Sequence, residues 1–288
     1  MAEDILARME SLSPTFSKGQ KRIAAFITES YDKAAFMTAN KLGKAVGVSE
    51  STVVRFAMEL GYDGYPTMQK VLQEMVMNHL TTSQRMDVAS ERINRRDVVI
   101  SVLQSDLDKL RQTADQLDRD AFQKSVDAIL RAKSIYVIGV RSSAALARFA
   151  GYYLNYMFDN VHLITDSGGS EMLEQLVNIK AEDVVLAISF PRYSTATIRG
   201  VQYCHQVGAT IVGLTNSSLS PLAQFCDCLL VAKSDMVSLV DSLVAPLSVL
   251  NALLIALAAG REDVIKKNFD TLERVWDTYH VYEKRPDV

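Results

Sequence analysis

The segment "DVVLAISFPRYSTATI" (183–198) combines an unbroken apolar run, a polar loop and a helix-like stretch. The apolar run does not alternate with polar residues, which is typical of a strand covered on both faces. The loop that follows places several hydroxyl side chains around Pro191 and Arg192. The segment therefore predicts a buried parallel strand that ends in a polar loop and continues into a helix.

The same order of elements recurs through the second part of the chain. Strand-like runs begin near residues 134, 161, 183, 210 and 228, with helical segments between them. Alternating strands and helices predict an α/β fold, a doubly wound parallel-sheet sandwich with right-handed crossovers. Ligands of such sheets bind beyond the carboxyl ends of the strands, near the reversal of strand order. The predicted site lies at three loops, 139–144, 166–171 and 189–195.

The composition narrows the class of protein. The chain has 288 residues and a formal net charge of −3, which argues against a protein that coats nucleic acid electrostatically. A small DNA-reading module remains compatible with this charge, because only its local surface matters. The three cysteines form no regular framework, which fits a reducing cytoplasm. Cys226 and Cys228 lack a second pair, so no metal site is expected.

Two further observations bear on location. The opening residues contain acidic side chains and no apolar core, so no secretory signal is expected. The apolar stretch 237–260 is interrupted by Asp241, Pro246 and Asn251, and it predicts a buried helix that also contributes to a subunit interface. We therefore expect a cytoplasmic protein without a membrane segment.

Residues 1–77 have helical periodicity and no convincing strand. Ser17 with Gln20 fits a capping box, and Thr38 and Ser49 fit N-caps on either side of Gly47, where the chain can turn sharply. The helix after Thr38 is expected to bury Leu42, Ala45 and Val46. The helix after Ser49 is expected to bury Val53, Phe56, Ala57 and Leu60, which share one face.

A helix, a glycine turn and a second helix are what a helix-turn-helix requires. The outer face carries short polar and basic side chains that can contact phosphates or base edges: Lys44, Ser49, Ser51, Thr52 and Arg55. An ordinary αα-hairpin with a solvated face would show the same spacing. Basic and acidic residues balance in this module, so a dimer that engages two half-sites of double-stranded operator DNA is expected.

Three regions of the chain differ in composition and periodicity. Residues 81–97 are polar and charged, and a helical stretch follows at 98–117. We predict a DNA-binding domain at 1–77, a linker at 78–106 and a ligand-binding domain at 107–288.

The loops after the first and third strands of the sheet have the chemistry of an anion site. Residues 139–143 open a helix, whose N–H groups and the hydroxyls of Ser142 and Ser143 can bind an anion. In the dinucleotide-binding pattern G-x-G-x-x-G, Arg141 stands where the second glycine would be. The sequence also has no Walker A loop, so no cofactor is expected. The second loop supplies Ser189, Arg192, Tyr193, Ser194 and Thr195. A simple turn capped by Ser194 is the alternative.

Two groups of motifs carry a resemblance to a known family. The segment "VSESTVVRFAMELGYDGY" (48–65), after "LSPTFSKGQKRIAAFI" (12–27), resembles the N-terminal domain of RpiR-type bacterial transcriptional regulators. "GVRSSA" and "ISFPRYST" resemble loops of the sugar isomerase (SIS) domain that follows in that family. The resemblance covers nearly the whole chain except the linker.

The resemblance implies DNA binding by the first domain and a phosphorylated sugar or amino-sugar effector in the second. It also implies a homodimer or homotetramer. Ser142, Ser143, Ser189 and Ser194 fall where SIS domains bind phosphate or sugar hydroxyls, and we add Arg141, Arg192 and Tyr193 to the predicted site. The common loop pattern is S-x-S-G-x-T. This chain has Pro191 in place of the second serine and Arg192 in place of the glycine.

Two functions from different classes remain open. A sugar-phosphate isomerase would need a positioned base to move a proton, and Glu171, Glu174 and His205 are the candidates. His205 lies about three turns into its helix and is expected to be too far from the strand ends. A regulator needs no base, and the helix-turn-helix favours a non-enzymatic sensor of carbohydrate metabolism.

Overall fold

The structure is a computed structural model that describes residues 5–79, 97–165, 169–234 and 240–282. The chain forms two compact units, residues 1–88 and 89–288. The division falls inside the predicted linker at 78–106, and the predicted helix at 98–117 is observed as Val98–Gln116. The outer boundaries at 77 and 107 stay predictions.

The described part of the first unit is helical. Its helices are α1 (Ile5–Leu12), α2 (Lys18–Glu29), α3 (Tyr31–Ala34), α4 (Ala39–Val46), α5 (Glu50–Glu59) and α6 (Tyr65–His79). The predicted capping box is present at α2, where Ser17 and Gln20 exchange side chain to backbone hydrogen bonds. Thr38 and Ser49 cap α4 and α5 as predicted, each side chain accepting a backbone N–H.

One apolar cluster holds this unit together. Val53, Phe56 and Ala57 of α5 and Leu60 at its C-cap are fully buried. The Phe56 ring packs edge to face on Phe16, with 5.2 Å between the ring centroids. Burying each large side chain contributes roughly 1.5–3 kcal/mol. On α4, Leu42 is buried as predicted and Val46 is half-buried, but Ala45 is exposed. The prediction for Ala45 was wrong because Ala39, Leu42 and Gly43 form the buried face.

The second unit begins with α7 (Val98–Gln116) and α8 (Arg119–Arg131). The α/β part follows as β1 (Ile135–Ile138), α9 (Ser143–Met157), β2 (Val161–Ile164), α10 (Gly169–Leu176), β3 (Val184–Ile188), α11 (Thr195–Val207), β4 (Thr210–Thr215) and β5 (Cys228–Val231). It ends with α12 (Val244–Ala259) and α13 (Glu262–Tyr279). These five strands form one parallel sheet in the order β2-β1-β3-β4-β5, which confirms the predicted fold class.

The sheet is covered on both faces. On one face, residues of α8, α9 and α12 pack against alternate strand residues such as Val137 and Leu186. On the other face, residues of α10 and α11 pack against Ile138 and Val185. β1 and β3 are wholly buried, as their continuous apolar sequences predict. β2 departs from the prediction, since it is an edge strand with His162 and Leu163 exposed.

Gly139 brings the first strand close to its following helix. A Cβ atom at this position would lie 2.9 Å from both the Ala147 Cβ and the Ser143 carbonyl oxygen. The residue must therefore be glycine for α9 to start directly beside the end of β1. This close approach sets the position of the loop that carries Arg141 and Ser142.

The apolar stretch 237–260 becomes α12, whose side chains enter the core on the first face of the sheet, as predicted. Residues 237–239 lie outside the described residues. Within the described ranges no single helix is both long and apolar enough to cross a membrane. The pair α12 and α13, bent by 95°, meets the length and composition criteria only when taken together.

Candidate functional site

The turn between α4 and α5 has the geometry that its sequence predicts. Gly47 adopts a left-handed conformation with φ of 69°, and its N–H closes the end of α4. A Cβ on Gly43 would lie 2.8 Å from the Val48 carbonyl oxygen, so a larger residue would push the turn away from α4. These glycines allow a tight helix-turn-helix arrangement.

The outer face of α5 is polar and internally organised. The Ser49 hydroxyl lies 2.9 Å from the Ser51 hydroxyl and 2.8 Å from the Thr52 hydroxyl. The Arg55 Nε donates to the Ser51 carbonyl oxygen at 3.2 Å. Ser49, Ser51, Arg55 and Lys44 are exposed, whereas Thr52 is half-buried. The four exposed side chains are therefore accessible to a ligand.

The second candidate site lies where the strand order reverses. β1 leads to β2 on one side, and β3 leads through β4 to β5 on the other, so β1 and β3 flank the switch point. Their pairing register places Ile138 opposite Ala187, so the loops after both strands leave the same edge of the sheet. The structure thus brings the two predicted loops, at 139–142 and 189–194, side by side.

Two helix N-termini flank this crevice on opposite faces of the sheet. Ser142 occupies the N-cap position of α9 and Ser194 that of α11, yet neither side chain makes a capping hydrogen bond. The alternative in which Ser194 caps its helix is therefore not observed. Unpaired N–H groups at a helix N-terminus favour an anion. Neither serine hydroxyl is used to cap its own helix.

Both loops contain an arginine in a left-handed backbone conformation. Arg141 has φ of 57° and Arg192 has φ of 63°, and both residues are exposed. Arg192 stands where the common loop pattern has glycine, and it keeps the conformation that glycine adopts easily. For a residue with a Cβ atom this conformation costs about 1–2 kcal/mol.

The remaining predicted residues differ in accessibility. Ser143 and Ser189 are buried at the start of α9 and the end of β3, and Tyr193 is half-buried. The Tyr193 hydroxyl donates to the Asn216 Oδ1 atom at 2.7 Å, which ties its loop to the end of β4. Asn216 was not among the site residues predicted from the sequence. The signal was available, because this polar residue directly follows a buried strand at the same edge of the sheet.

The base candidates for an isomerase do not form an enclosed site. Glu171 and Glu174 are exposed on α10, and His205 lies in the last turn of α11, as its sequence position predicts. The first residues of the predicted loop 166–171 lie outside the described residues. Among the described carboxylates and imidazole named here, none is buried at the switch point.

The cysteines have the properties of core residues. Burial raises the pKa of the Cys226 thiol to about 12, and the adjacent Asp227 acts in the same direction. The pKa of Cys228 is also raised by burial. Within the described parts of the chain, no cluster of three or more His, Cys, Asp or Glu residues could hold a metal ion. Because burial raises the pKa of both thiols, a thiolate pair at Cys226 and Cys228 is unfavourable.

Two family models match the chain. The helix-turn-helix domain of the rpiR family matches residues 3–79, and the SIS domain matches residues 128–256. An HTH-type transcriptional regulator of Clostridium perfringens is 28% identical over 228 residues, with 77% of this chain and 79% of the relative covered. One from Caldanaerobacter subterraneus is 25% identical over 279 residues, with 94% and 96% covered.

Solved structures agree with the fold. The sugar isomerase domain of an RpiR transcription factor from Sphaerobacter thermophilus is 30% identical with a TM-score of 0.59, covering 62% of this chain and 99% of that one. The Vibrio vulnificus NanR protein, complexed with ManNAc-6P, is 23% identical with a TM-score of 0.56, covering 96% and 98%. With an rpiR-type helix-turn-helix unit before a SIS domain, the chain belongs to the RpiR family of transcriptional regulators.

Proposed function

We propose that the crevice between the loops after β1 and β3 binds a phosphorylated sugar or amino sugar, and that this effector changes the affinity of the first unit for operator DNA. The observation that carries the proposal is the pair of N-cap serines, Ser142 and Ser194, whose side chains do not cap their helices. Two helix N-termini and two hydroxyls at one crevice suit a phosphate group.

The roles of the individual residues follow from their positions. Ser142, Ser143, Ser189 and Ser194 would donate neutral hydrogen bonds to phosphate or sugar oxygens, and Arg141 and Arg192 would add charge-assisted ones. Tyr193 is bound to Asn216, so its proposed role is to position the loop beside the effector. The binding of ManNAc-6P by the NanR protein supports an effector of this chemical class.

Two copies of the first unit would bind operator DNA together. The exposed side chains of Lys44, Ser49, Ser51 and Arg55 would face the operator, with Thr52 at the base of the same surface. Two copies of this unit, in a homodimer or homotetramer acting in the cytoplasm, would engage two half-sites. Because the effector and the operator would bias one equilibrium, each must change the affinity of the other by the same factor.

The effector is tested by thermal unfolding of the full chain against a panel of sugar phosphates that includes ManNAc-6P. The matching unphosphorylated sugars and inorganic phosphate serve as controls. A cognate effector at about 100 times its Kd is expected to stabilise the protein by about 2.7 kcal/mol. Gel retardation with operator DNA should then show a change in affinity with the same compound. The proposal fails if no sugar phosphate changes either stability or operator affinity.

Replacing Arg55 by alanine tests the DNA-reading face. We expect specific operator binding to weaken by about 1–3 kcal/mol, because an arginine paired with a guanine contributes that much discrimination. Lys44→Ala is the matched comparison, since loss of a phosphate contact should weaken specific and non-specific binding alike and reduce the salt dependence. Unchanged operator affinity for Arg55→Ala, measured by fluorescence anisotropy, would remove Arg55 from the reading face.

The isomerase alternative is tested with the same compounds. Turnover of a ketose or aldose phosphate that is lost in Glu171→Gln or Glu174→Gln would favour it. The exposure of both carboxylates favours the sensor, because a general base usually requires a tuned environment.

A further inference from the structure

Three basic residues near the start of α2 lie outside the surface formed by α5. Lys18, Lys21 and Arg22 are all exposed. The sequence of α2 has no acidic residue before Glu29, at its end. Within the described part of the chain, the Arg22 guanidinium has no hydrogen-bond or ion-pair partner. The first unit therefore carries a local positive surface here, although its basic and acidic residues balance overall.

The first turn of α2 packs against the start of α5. A Cβ atom on Gly19 would lie 3.4 Å from the Val48 Cγ1 atom and 3.5 Å from the Thr52 Cγ2 atom, which is ordinary van der Waals contact. The Gln20 side chain also donates a hydrogen bond to the Glu59 carboxylate, at the last residue of α5. These contacts hold the beginning of α2 beside α5, at the edge of its polar outer face.

The Arg22 side chain lies against the turn between α4 and α5. Its Nη1 atom is 3.3 Å from the position that a Cβ atom on Gly47 would occupy. Because Gly47 has no side chain and is exposed, the turn leaves room for the guanidinium at this point. Lys18 lies four residues before Arg22, on the same face of α2. The Arg22 cation is therefore at the same end of α5 as Ser49 and Thr52, the residues of its first turn.

We propose that Arg22, with Lys18 beside it, binds a phosphate of the operator backbone at the edge of the groove that α5 enters. This inference rests on the DNA-binding role proposed above for α5. A recognition helix contacts base edges mainly through its N-terminal residues, so a cation beside that end meets the sugar-phosphate strand that borders the groove. A guanidinium suits this position because it can form two parallel hydrogen bonds to one phosphate.

The position of Arg22 favours DNA over an acidic protein surface as the partner. The guanidinium lies against the turn that leads into α5, so it is within the area that DNA covers when α5 enters a groove. Contacts to phosphates orient a protein on the duplex but carry no sequence information. We therefore expect Arg22 to contribute to affinity and salt dependence, whereas Arg55 contributes to the choice of sequence.

Lys21 provides a matched control on the same helix. Its side chain lines the groove between α1 and α2 together with Glu10 and Glu29, so it lies on a different side of α2 from the turn. Lys21 and Arg22 are adjacent, exposed and equally charged. Replacing either one by alanine removes one positive charge, and only the location of the lost charge differs.

Fluorescence anisotropy of the full chain with two DNA duplexes tests the proposal. One duplex is selected by the wild type from a random-sequence library, and the other has the same bases in shuffled order. For Arg22→Ala, we expect the affinity for both duplexes to fall about tenfold. The slope of log K against log[salt] should become shallower by about 0.9 for each bound copy of the first unit. Lys21→Ala should leave the slope nearly unchanged, and Arg22→Lys should retain it. Circular dichroism with thermal unfolding checks that the variants are folded.

Duplexes with one uncharged methylphosphonate in place of a phosphate give the sharper test. At one position beside the groove, the wild type should lose affinity, whereas Arg22→Ala should lose no more than it already has. A wild type that binds neither duplex overturns the DNA-binding role and this proposal together. If the wild type binds but Arg22→Ala keeps its affinity and slope, only this proposal is overturned. An equal change of slope in Lys21→Ala, or a changed sequence preference in Arg22→Ala, also overturns this proposal alone.

Discussion

The N-cap hydroxyls of α2, α4 and α5 in the first unit differ in their hydrogen bonding from those of α9 and α11 in the second. In the first unit, Ser17, Thr38 and Ser49 each accept a backbone N–H at the start of α2, α4 and α5. In the second unit, Ser142 and Ser194 hold the same position in α9 and α11 but make no such bond. All five N-cap residues carry a hydroxyl group, and only the three in the first unit use it to cap the helix.

The difference follows from where each helix begins. In the first unit, the candidate DNA-binding surface is the outer face of α5. The N-cap side chains there can therefore bind the backbone of their own helices and stabilise them. α9 and α11 begin at the carboxyl edge of a parallel sheet, where the fold leaves a crevice for a ligand. The capping hydroxyls of α2, α4 and α5 therefore support local stability, whereas those of α9 and α11 are left for the binding role that we propose.

The largest expected effect is the loss of the first unit's core. Phe56→Ala removes a fully buried ring that packs on Phe16, which should cost about 3–5 kcal/mol of unfolding free energy. Urea unfolding and operator retardation measure the result, and operator binding should be lost. The second unit has its own core, so effector stabilisation should survive. An unaltered operator affinity would show that α5 is not held by this cluster.

Gly139→Ala is the next largest change, and it acts on the second unit. The new Cβ would meet Ala147 and the backbone of Ser143, so we expect a cost of about 1–3 kcal/mol and weaker effector binding. Gly19→Ala in α2 is the control, because its Cβ would have ordinary contacts at 3.4 Å and longer. That control should be neutral or stabilising by up to about 1 kcal/mol. Equal stability of both variants would contradict the close approach of β1 and α9.

A matched pair of serine substitutions tests the comparison directly. Ser17→Ala should lower the unfolding free energy by about 1 kcal/mol, because it removes a capping box. Ser194→Ala should change stability by less than about 0.5 kcal/mol, as a surface substitution without a cap would. Its effect should instead be a weaker response to the effector in thermal unfolding. If Ser194→Ala costs as much stability as Ser17→Ala, the two units use their serines alike.

The smallest effect is expected at Arg141, whose φ is 57°. Arg141→Gly should raise the unfolding free energy by up to about 1 kcal/mol, since glycine adopts this conformation without a Cβ penalty. The same change removes a cation beside the crevice and should weaken effector binding. Arg141→Lys retains both the charge and the backbone cost, so it should leave stability unchanged in urea unfolding. A loss of stability in Arg141→Gly would mean that the side chain has a structural role.

The sequence predicted the helices of the first unit closely because their signals are local. Caps, the glycine turn and the buried face of α5 all lie within a few residues of each other along the chain. The one wrong side chain there, Ala45, is small enough to fit either face of a helix. In the second unit the strand positions were also predicted, yet the exposure of His162 and Leu163 was not. That exposure depends on β2 being an edge strand, which its own residues do not reveal.

By itself, the amino-acid sequence determined the order of the elements, the caps, the helix-turn-helix spacing and the polar loops after the strands. Only the tertiary structure decided which loops meet, because the register of β1 and β3 pairs residues far apart in the chain. It also decided that Asn216 binds Tyr193, that Ser142 and Ser194 do not cap their helices, and that no residue of α13 is fully buried. Local patterns record what each segment can form, whereas contacts between distant segments depend on how the whole chain packs.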